Sequence, residues 1–285
     1  MARPKFTIVT ASFNSARTIR ETIDSVFTQD FKDIEYWVID GGSKDETIAI
    51  VKEYPTIQWV SERDEGLYHA MNKGIERATG EILLMLNSDD CLRPGVLAKV
   101  AAAFDKNPSW DAAFGDIIYV DSQGREIYRR EEVKYDYDIL RLSGVCYIIH
   151  QTLFVKKATH DRLGLYRHKD FRNSADYEFI LRMGRAGCSV GHIPEYIVNF
   201  RIHDFGMTAD DRVRKNIFRE VGLIGREHNR PDGWRGKALR TIMRAKRQVQ
   251  KLLYRGKIDL VPGEKKLKKY IKAKTNFESN QVYKD

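Results

Sequence analysis

Glu81-Ile-Leu-Leu-Met-Leu-Asn-Ser-Asp-Asp-Cys91 sets five consecutive apolar residues ahead of two adjacent carboxylates. An apolar run of this length reads as a strand buried on both faces, and its polar exit carries charge to the rim of a sheet. In an open α/β sheet, ligands bind beyond the carboxyl ends of the strands, which is where Asp89 and Asp90 then stand. Adjacent like charges oppose each other's ionisation unless a cation or hydrogen-bond donors compensate. A divalent, oxygen-seeking cation such as Mg2+ or Mn2+ supplies that compensation and in turn binds a diphosphate. Taken alone, Ser88 to Asp90 serves equally well as a polar turn before the helix that follows Pro94; the other strand ends decide between the two.

Outward from this stretch, the first half alternates. Lys5 to Thr10 is rich in β-branched and apolar residues and predicts a strand broken by Ala11-Ser-Phe-Asn14, after which Ile19, Ile23, Val26 and Phe27 recur at helical spacing. Glu35 to Asp40 predicts a second strand that ends in the turn Gly41-Gly42-Ser43. Ser43 is the expected cap of the next helix, with Glu46 at the capping-box position. Ile57 to Val60 gives a short third strand, and Leu67, Ala70, Met71, Gly74, Ile75 and Ala78 line one face of a helix closed by Gly80. Four strand-helix alternations imply a parallel sheet covered on both faces. After Trp110 the pattern changes to a hairpin over Ala112 to Val120 and Glu126 to Arg129. A strand within Cys146 to Val155, a helix over Ala175 to Arg185 and a last strand over Tyr196 to Ile202 follow.

The 285 residues suffice for one large α/β domain with an appendage. No run approaches the roughly 18 apolar residues of a membrane span, and no signal-peptide core precedes the first strand, so the expected location is cytoplasmic. Three widely spaced cysteines read as free thiols. The net charge of +9 is concentrated: Arg235 to Lys274 holds 15 Lys and Arg against Asp259 and Glu264, leaving 34 basic and 38 acidic residues elsewhere. A mildly acidic body with a basic tail argues against a nucleic-acid partner.

Strands one, two and four end in Ser12-Phe-Asn14, Asp40 and Asp89-Asp90, and Asp64 follows the third. No GxGxxG follows the first strand and no GxxxxGK[ST] occurs, which disfavours a Rossmann dehydrogenase or a P-loop enzyme. In order and spacing, Thr10-Ala-Ser-Phe-Asn14, Val38-Ile-Asp-Gly-Gly-Ser43, Asp64-Glu-Gly-Leu-Tyr-His-Ala-Met-Asn-Lys-Gly74 and Asn87-Ser-Asp-Asp90 resemble the family 2 glycosyltransferases over roughly residues 4 to 208. The resemblance implies an α/β GT-A fold with a mostly parallel central sheet flanked by helices, a nucleotide-diphosphate sugar donor, a divalent metal and inversion at the anomeric carbon. It places Ala11 and Phe13 beside the base, Asp40 and Asp64 in contact with it, Asp89 on the ribose and Asp90 on the metal. His69 stands where many members carry Asp.

Inversion needs a carboxylate opposite the departing diphosphate to take the acceptor's proton. Asn173 to Arg182 resembles the family segment that carries this base, which assigns the role to Asp176, with Glu178 in reserve. Phe200-Arg-Ile-His203 resembles the loop over the diphosphate, with Arg201 assisting there and His203 completing the metal shell. The expected organisation is a catalytic domain over 1–208, its nucleotide-sugar half about 1–110 and its acceptor half about 111–208, followed by a basic helical extension over 209–285. In that extension Leu239, Ile242, Met243, Val249 and Leu253 fall near one helical face, and Arg240, Arg244, Arg247 and Lys251 on another. This pattern fits either an anchor on an anionic membrane or a helix packed on the catalytic domain. The acceptor expected is a glycan or a lipid-linked hydroxyl. A sugar-phosphate nucleotidyltransferase and a non-enzymatic basic binding module are the competing readings; the first lacks its Gly-rich basic loop, the second its interleaved aromatics.

Overall fold

In the computed structural model the first strands and helices follow one another as β1 (Phe6–Ser12), α1 (Ile19–Phe27), β2 (Ile34–Asp40), α2 (Thr47–Lys52), β3 (Gln58–Ser61), α3 (Leu67–Arg77) and β4 (Ile82–Asn87). The structure describes residues 3–202 and 211–256. The four strands lie parallel in the order β3-β2-β1-β4, with Ser12 beside Asp40 and Ala11 beside Asn87. The strands therefore end level, and whatever follows them shares one edge. Alternation along β4 divides the core: Ile82, Leu84 and Leu86 pack with α1 residues and, beyond them, Val96 to Phe104, while Leu83 and Met85 pack with α3. Gly74 lets α3 approach β1, since a Cβ there would lie 2.2 Å from Val9 Cγ1.

Beyond β4 the chain forms β5 (Cys91–Leu92), α4 (Val96–Lys106), β6 (Ala112–Val120), β7 (Glu126–Arg130), α5 (Tyr137–Ser143), a 3-10 turn (His150–Thr152), β8 (Leu153–Lys156), α6 (Lys157–Leu163), α7 (Ala175–Arg185) and β9 (Val190–Arg201). The sheet continues from β4 through β8, β6 and β9 to β5, with β8 antiparallel to both neighbours, β9 parallel to β6, and β7 a hairpin partner of β6. The sheet is thus parallel through β4 and mixed after it. The region from Cys146 to Val155 is strand only from Leu153, because the chain first turns at His150–Thr152 to reach the ends of the parallel strands. Ser43 does not cap α2. Its hydroxyl is drawn to Asp40 and to the Asn14 N–H, and Asp45 instead accepts from the Thr47 N–H.

Two helices complete the described chain, α8 (Asp211–Glu227) and α9 (Gly233–Arg255). No described helix is long and apolar enough to cross a membrane. Met243 packs on the core, and α9 is fastened to the body by ion pairs: Arg247 to Glu132 at 2.6 Å, Arg255 to Asp116 at 2.6 Å and Lys246 to Asp136 at 2.7 Å. Asp136 also caps α5 by accepting from the Ile139 N–H. Burial alone would raise the pKa of Glu132, but the charges of Arg130 and Arg247 hold it below the ordinary carboxylate value. Because the folded pKa is depressed, this stabilisation is present above the unfolded pKa and is lost as pH falls through the folded one. Arg247→Ala should therefore lower stability at neutral pH by about 2 kcal/mol, the worth of a hydrogen bond to a charged group. The deficit should shrink in acid, as read by urea unfolding at two pH values; an unchanged midpoint would mean that α9 is not braced here.

Candidate active site

The edge where β1, β2 and β4 end carries an exposed aromatic ring over polar turns. Phe13 is 62% exposed. Its ring and the Asp64 carboxylate both border Gly41, where a Cβ would lie 3.4 Å from Phe13 Cδ2 and 2.6 Å from Asp64 Oδ2. Asp64 Oδ1 accepts from the Gly66 N–H that opens α3. A flat apolar ring beside a carboxylate matches a nucleobase, which offers a π face and N–H donors.

Two residues expected at the base are not available to it. Asp40 is fully buried and accepts from the Gly42 and Ser43 N–H groups and from the hydroxyls of Ser12, Ser43 and Ser61. It is the clasp of the β2 turn, because a carboxylate inside a strand end must be satisfied by local donors. Ala11 likewise lies within the core beside Ile39 and Met71, so Phe13 alone offers a surface.

Asp90 is 1% exposed; its Oδ2 accepts from Gln151 Nε2 at 2.8 Å and its Oδ1 from the Arg201 N–H at 2.9 Å. Burial, and then the charge of Asp89, push its pKa well above the ordinary carboxylate value. Neutral donors do not cancel its charge, and the Arg201 guanidinium turns elsewhere: to the Asp89 carbonyl, the Ser122 carbonyl and Glu21. Arg201, expected to assist at the diphosphate, is instead a brace between β9 and the exit of β4. The other atom of the Gln151 amide, Oε1, is buried without a donor. Carboxylates such as Asp89 and Asp90 are hard oxygen donors of the kind that a divalent cation such as Mg2+ or Mn2+ takes, whereas Gln151 turns its amide N–H, not its oxygen, toward Asp90. His203 lies outside the described residues.

Asp176 opens α7 but does not cap it: Ser174 occupies the cap position, and the Asp176 carboxylate meets side chains of α3 and of the 3-10 turn. Tyr68 Oη donates to its Oδ1 at 2.7 Å, His150 Nδ1 lies 3.3 Å from its Oδ2, and the Tyr177 N–H donates to Oδ1. Burial would raise its pKa, but these bonds, that of His150 foremost, hold it below the usual range. His150 Nε2 in turn lies 3.2 Å from Asn87 Oδ1, at the end of β4. Glu178, the reserve candidate, is buried and paired with Arg182 at 2.9 Å and is not free to act.

His150 and Gln151 tie this geometry together. Neighbours on one 3-10 turn, they hold Asp176 and Asp90 respectively. Their order, His-Gln ahead of an apolar strand, is the signal in the sequence; the partners are not. His69 also gains an account: its Nδ1 accepts from the Glu65 N–H at 2.9 Å, a service Asp would perform at the same helix start.

A family model, Glycosyl transferase family 2, matches residues 7–167. A PGL/p-HBAD biosynthesis glycosyltransferase of Mycobacterium tuberculosis is 34% identical over 233 residues, 79% of this chain and 87% of that protein. The chain belongs to glycosyl transferase family 2. Chondroitin synthase of Escherichia coli is 24% identical over 212 residues, which is 70% of this chain and 29% of that protein. Among solved structures, Staphylococcus aureus TarS 1–349 in complex with UDP-GlcNAc superposes with TM-score 0.61 at 19% identity, covering 88% of this chain and 73% of that one. A Pyrobaculum calidifontis mannosyltransferase in complex with GDP-Man and Mn2+ gives TM-score 0.61 at 20% identity, covering 87% and 70%. The GT-A architecture of these enzymes is the fold of this family 2 transferase. Another Staphylococcus aureus TarS structure is longer, and this chain spans 44% of it.

Because hydrogen bonds hold Asp176 ionised, removing one should move its titration toward neutrality. Tyr68→Phe should shift the acid limb of the transferase pH–rate profile to higher pH while leaving the plateau above it nearly intact. An unmoved acid limb would show that the bond does not set the ionisation of Asp176.

Proposed function

We propose that this chain transfers a sugar, with inversion, from a nucleotide-diphosphate sugar to a hydroxyl of a glycan or lipid-linked acceptor. The product would belong to surface polysaccharide or glycolipid synthesis, made at the cytoplasmic face of the cell membrane. The observation that carries this reading is the single turn from which His150 holds Asp176 and Gln151 holds Asp90, since a transferase must hold its base and its diphosphate site in fixed relation about one sugar.

In this account Phe13 and Asp64 receive the base and Asp89 the ribose hydroxyls. Asp90, with Gln151 beside it, would hold Mn2+ or Mg2+, which would supply positive charge to offset that of a diphosphate leaving group. His203 is proposed to join that shell. Asp176 takes the proton of the acceptor hydroxyl as its oxygen bonds to the anomeric carbon, and the electrons of the broken C–O bond depart with the diphosphate. The 1–208 catalytic unit and the 209–285 extension remain the proposed organisation.

Calorimetric titration of a nucleoside diphosphate with Mn2+ tests the donor half. The wild-type protein should bind only with the metal, and Asp90→Asn, which keeps shape but removes charge, should lose metal-dependent binding at least tenfold. Metal-dependent affinity unchanged in the variant would remove Asp90 from the cation site.

A further inference from the structure

The apolar and basic residues of α9 are not arranged as periodicity alone suggests. Leu239 is half-buried and Met243 packs on the core. Arg247 and Arg255 reach buried carboxylates, Lys251 is buried, and Tyr254 bonds His192. The remaining face looks outward: Trp234 is 75% exposed, Ile242 55%, Val249 56% and Leu253 82%, with Leu252 beside them. At 3.6 residues per turn these residues, with Ala238 and Ala245 between them, fall in one continuous arc. Exposed Arg235 flanks one side of the arc, where Lys246 next to it is turned inward to Asp136, and exposed Lys237 and Arg244 flank the other.

We propose that this outward face of α9 is a docking surface for an anionic lipid bilayer. The helix contains no acidic residue from Gly233 to Arg255, and the sequence beyond it, Lys257 to Lys274, adds seven lysines against Asp259 and Glu264. A second copy of α9 would bring cation against cation, whereas anionic headgroups complement both flanks and the acyl boundary receives the apolar arc. From Trp234 to Leu253 the arc runs about 28 Å at 1.5 Å per residue, a ridge that can lie in an interface along its whole length. A tryptophan at one end suits the headgroup level.

The inward face makes the docking consequential. Lys246 and Gln250 bond Asp136, the cap of α5, and the Tyr177 hydroxyl of α7 donates to the Leu140 carbonyl of α5. A lipid-seated α9 therefore holds, through α5, the helix that carries Asp176. The inference rests on the proposed transferase reading only for its purpose, which is to present a lipid-linked acceptor to the base.

Co-sedimentation of the full chain with phosphatidylcholine vesicles, with and without 30% phosphatidylglycerol as the chosen probe (~0.3 mole fraction), tests it. The triple variant Ile242→Ser, Val249→Ser, Leu253→Ser keeps every charge, so a loss reports the apolar arc and not the lysines. Wild-type protein should sediment with the anionic vesicles alone, less so in high salt, and the variant should bind at least tenfold more weakly. Its melting temperature and its nucleoside diphosphate affinity should stay unchanged, which separates failure of docking from failure of the transferase reading. Equal sedimentation of the variant would overturn the proposal. So would wild-type dimers by light scattering that the variant abolishes, which would assign the face to a second copy.

Discussion

The buried carboxylate of Asp90 is the point on which the two halves of the molecule meet. It leaves the last strand of the parallel half, yet its donors come from the mixed half, the Gln151 amide and the Arg201 N–H. A buried carboxylate left to neutral donors carries a large ionisation penalty, which is the ground on which a cation is proposed there. The same constraint fixes the neighbouring side chain. With Gln151 turned toward Asp90, His150 is directed to Asp176 and Asn87. The carboxylates proposed for donor and acceptor chemistry are thus both held from one short turn.

The parallel half was legible because each of its signals is local. Five apolar residues before Asn87 read as a buried strand, and helical spacing from Leu67 to Ala78 read as α3, which runs to Arg77. The mixed half was less legible for a physical reason. α5 has only seven residues, and its start is marked by Asp136 alone, a cap whose other oxygen is held by Lys246 and Gln250 from more than a hundred residues away. The turn at His150 likewise exists to reach β4, a tertiary requirement that no window of sequence contains.

Site residues divide in the same way. Asp176 could be proposed from resemblance, but its separation from the cap role needed the geometry of Tyr68 and His150. Asp40 shows the converse: a carboxylate at a strand end looks like a ligand until five donors from its own turn and its neighbours are counted. In α9, hydrophobicity gave the stripe but not its direction, because ion pairs to Glu132 and Asp116 rotate the basic side inward and turn apolar residues toward solvent.

Whether Asp176 takes the proton of the acceptor hydroxyl while the donor is held at the ends of the parallel strands is decided by single-turnover transfer in Asp176→Asn, measured beside donor affinity. Loss of a positioned base should slow transfer by about 10² to 10⁴ with donor affinity nearly unchanged. Single-turnover transfer at the wild-type rate would contradict the account and place the base elsewhere.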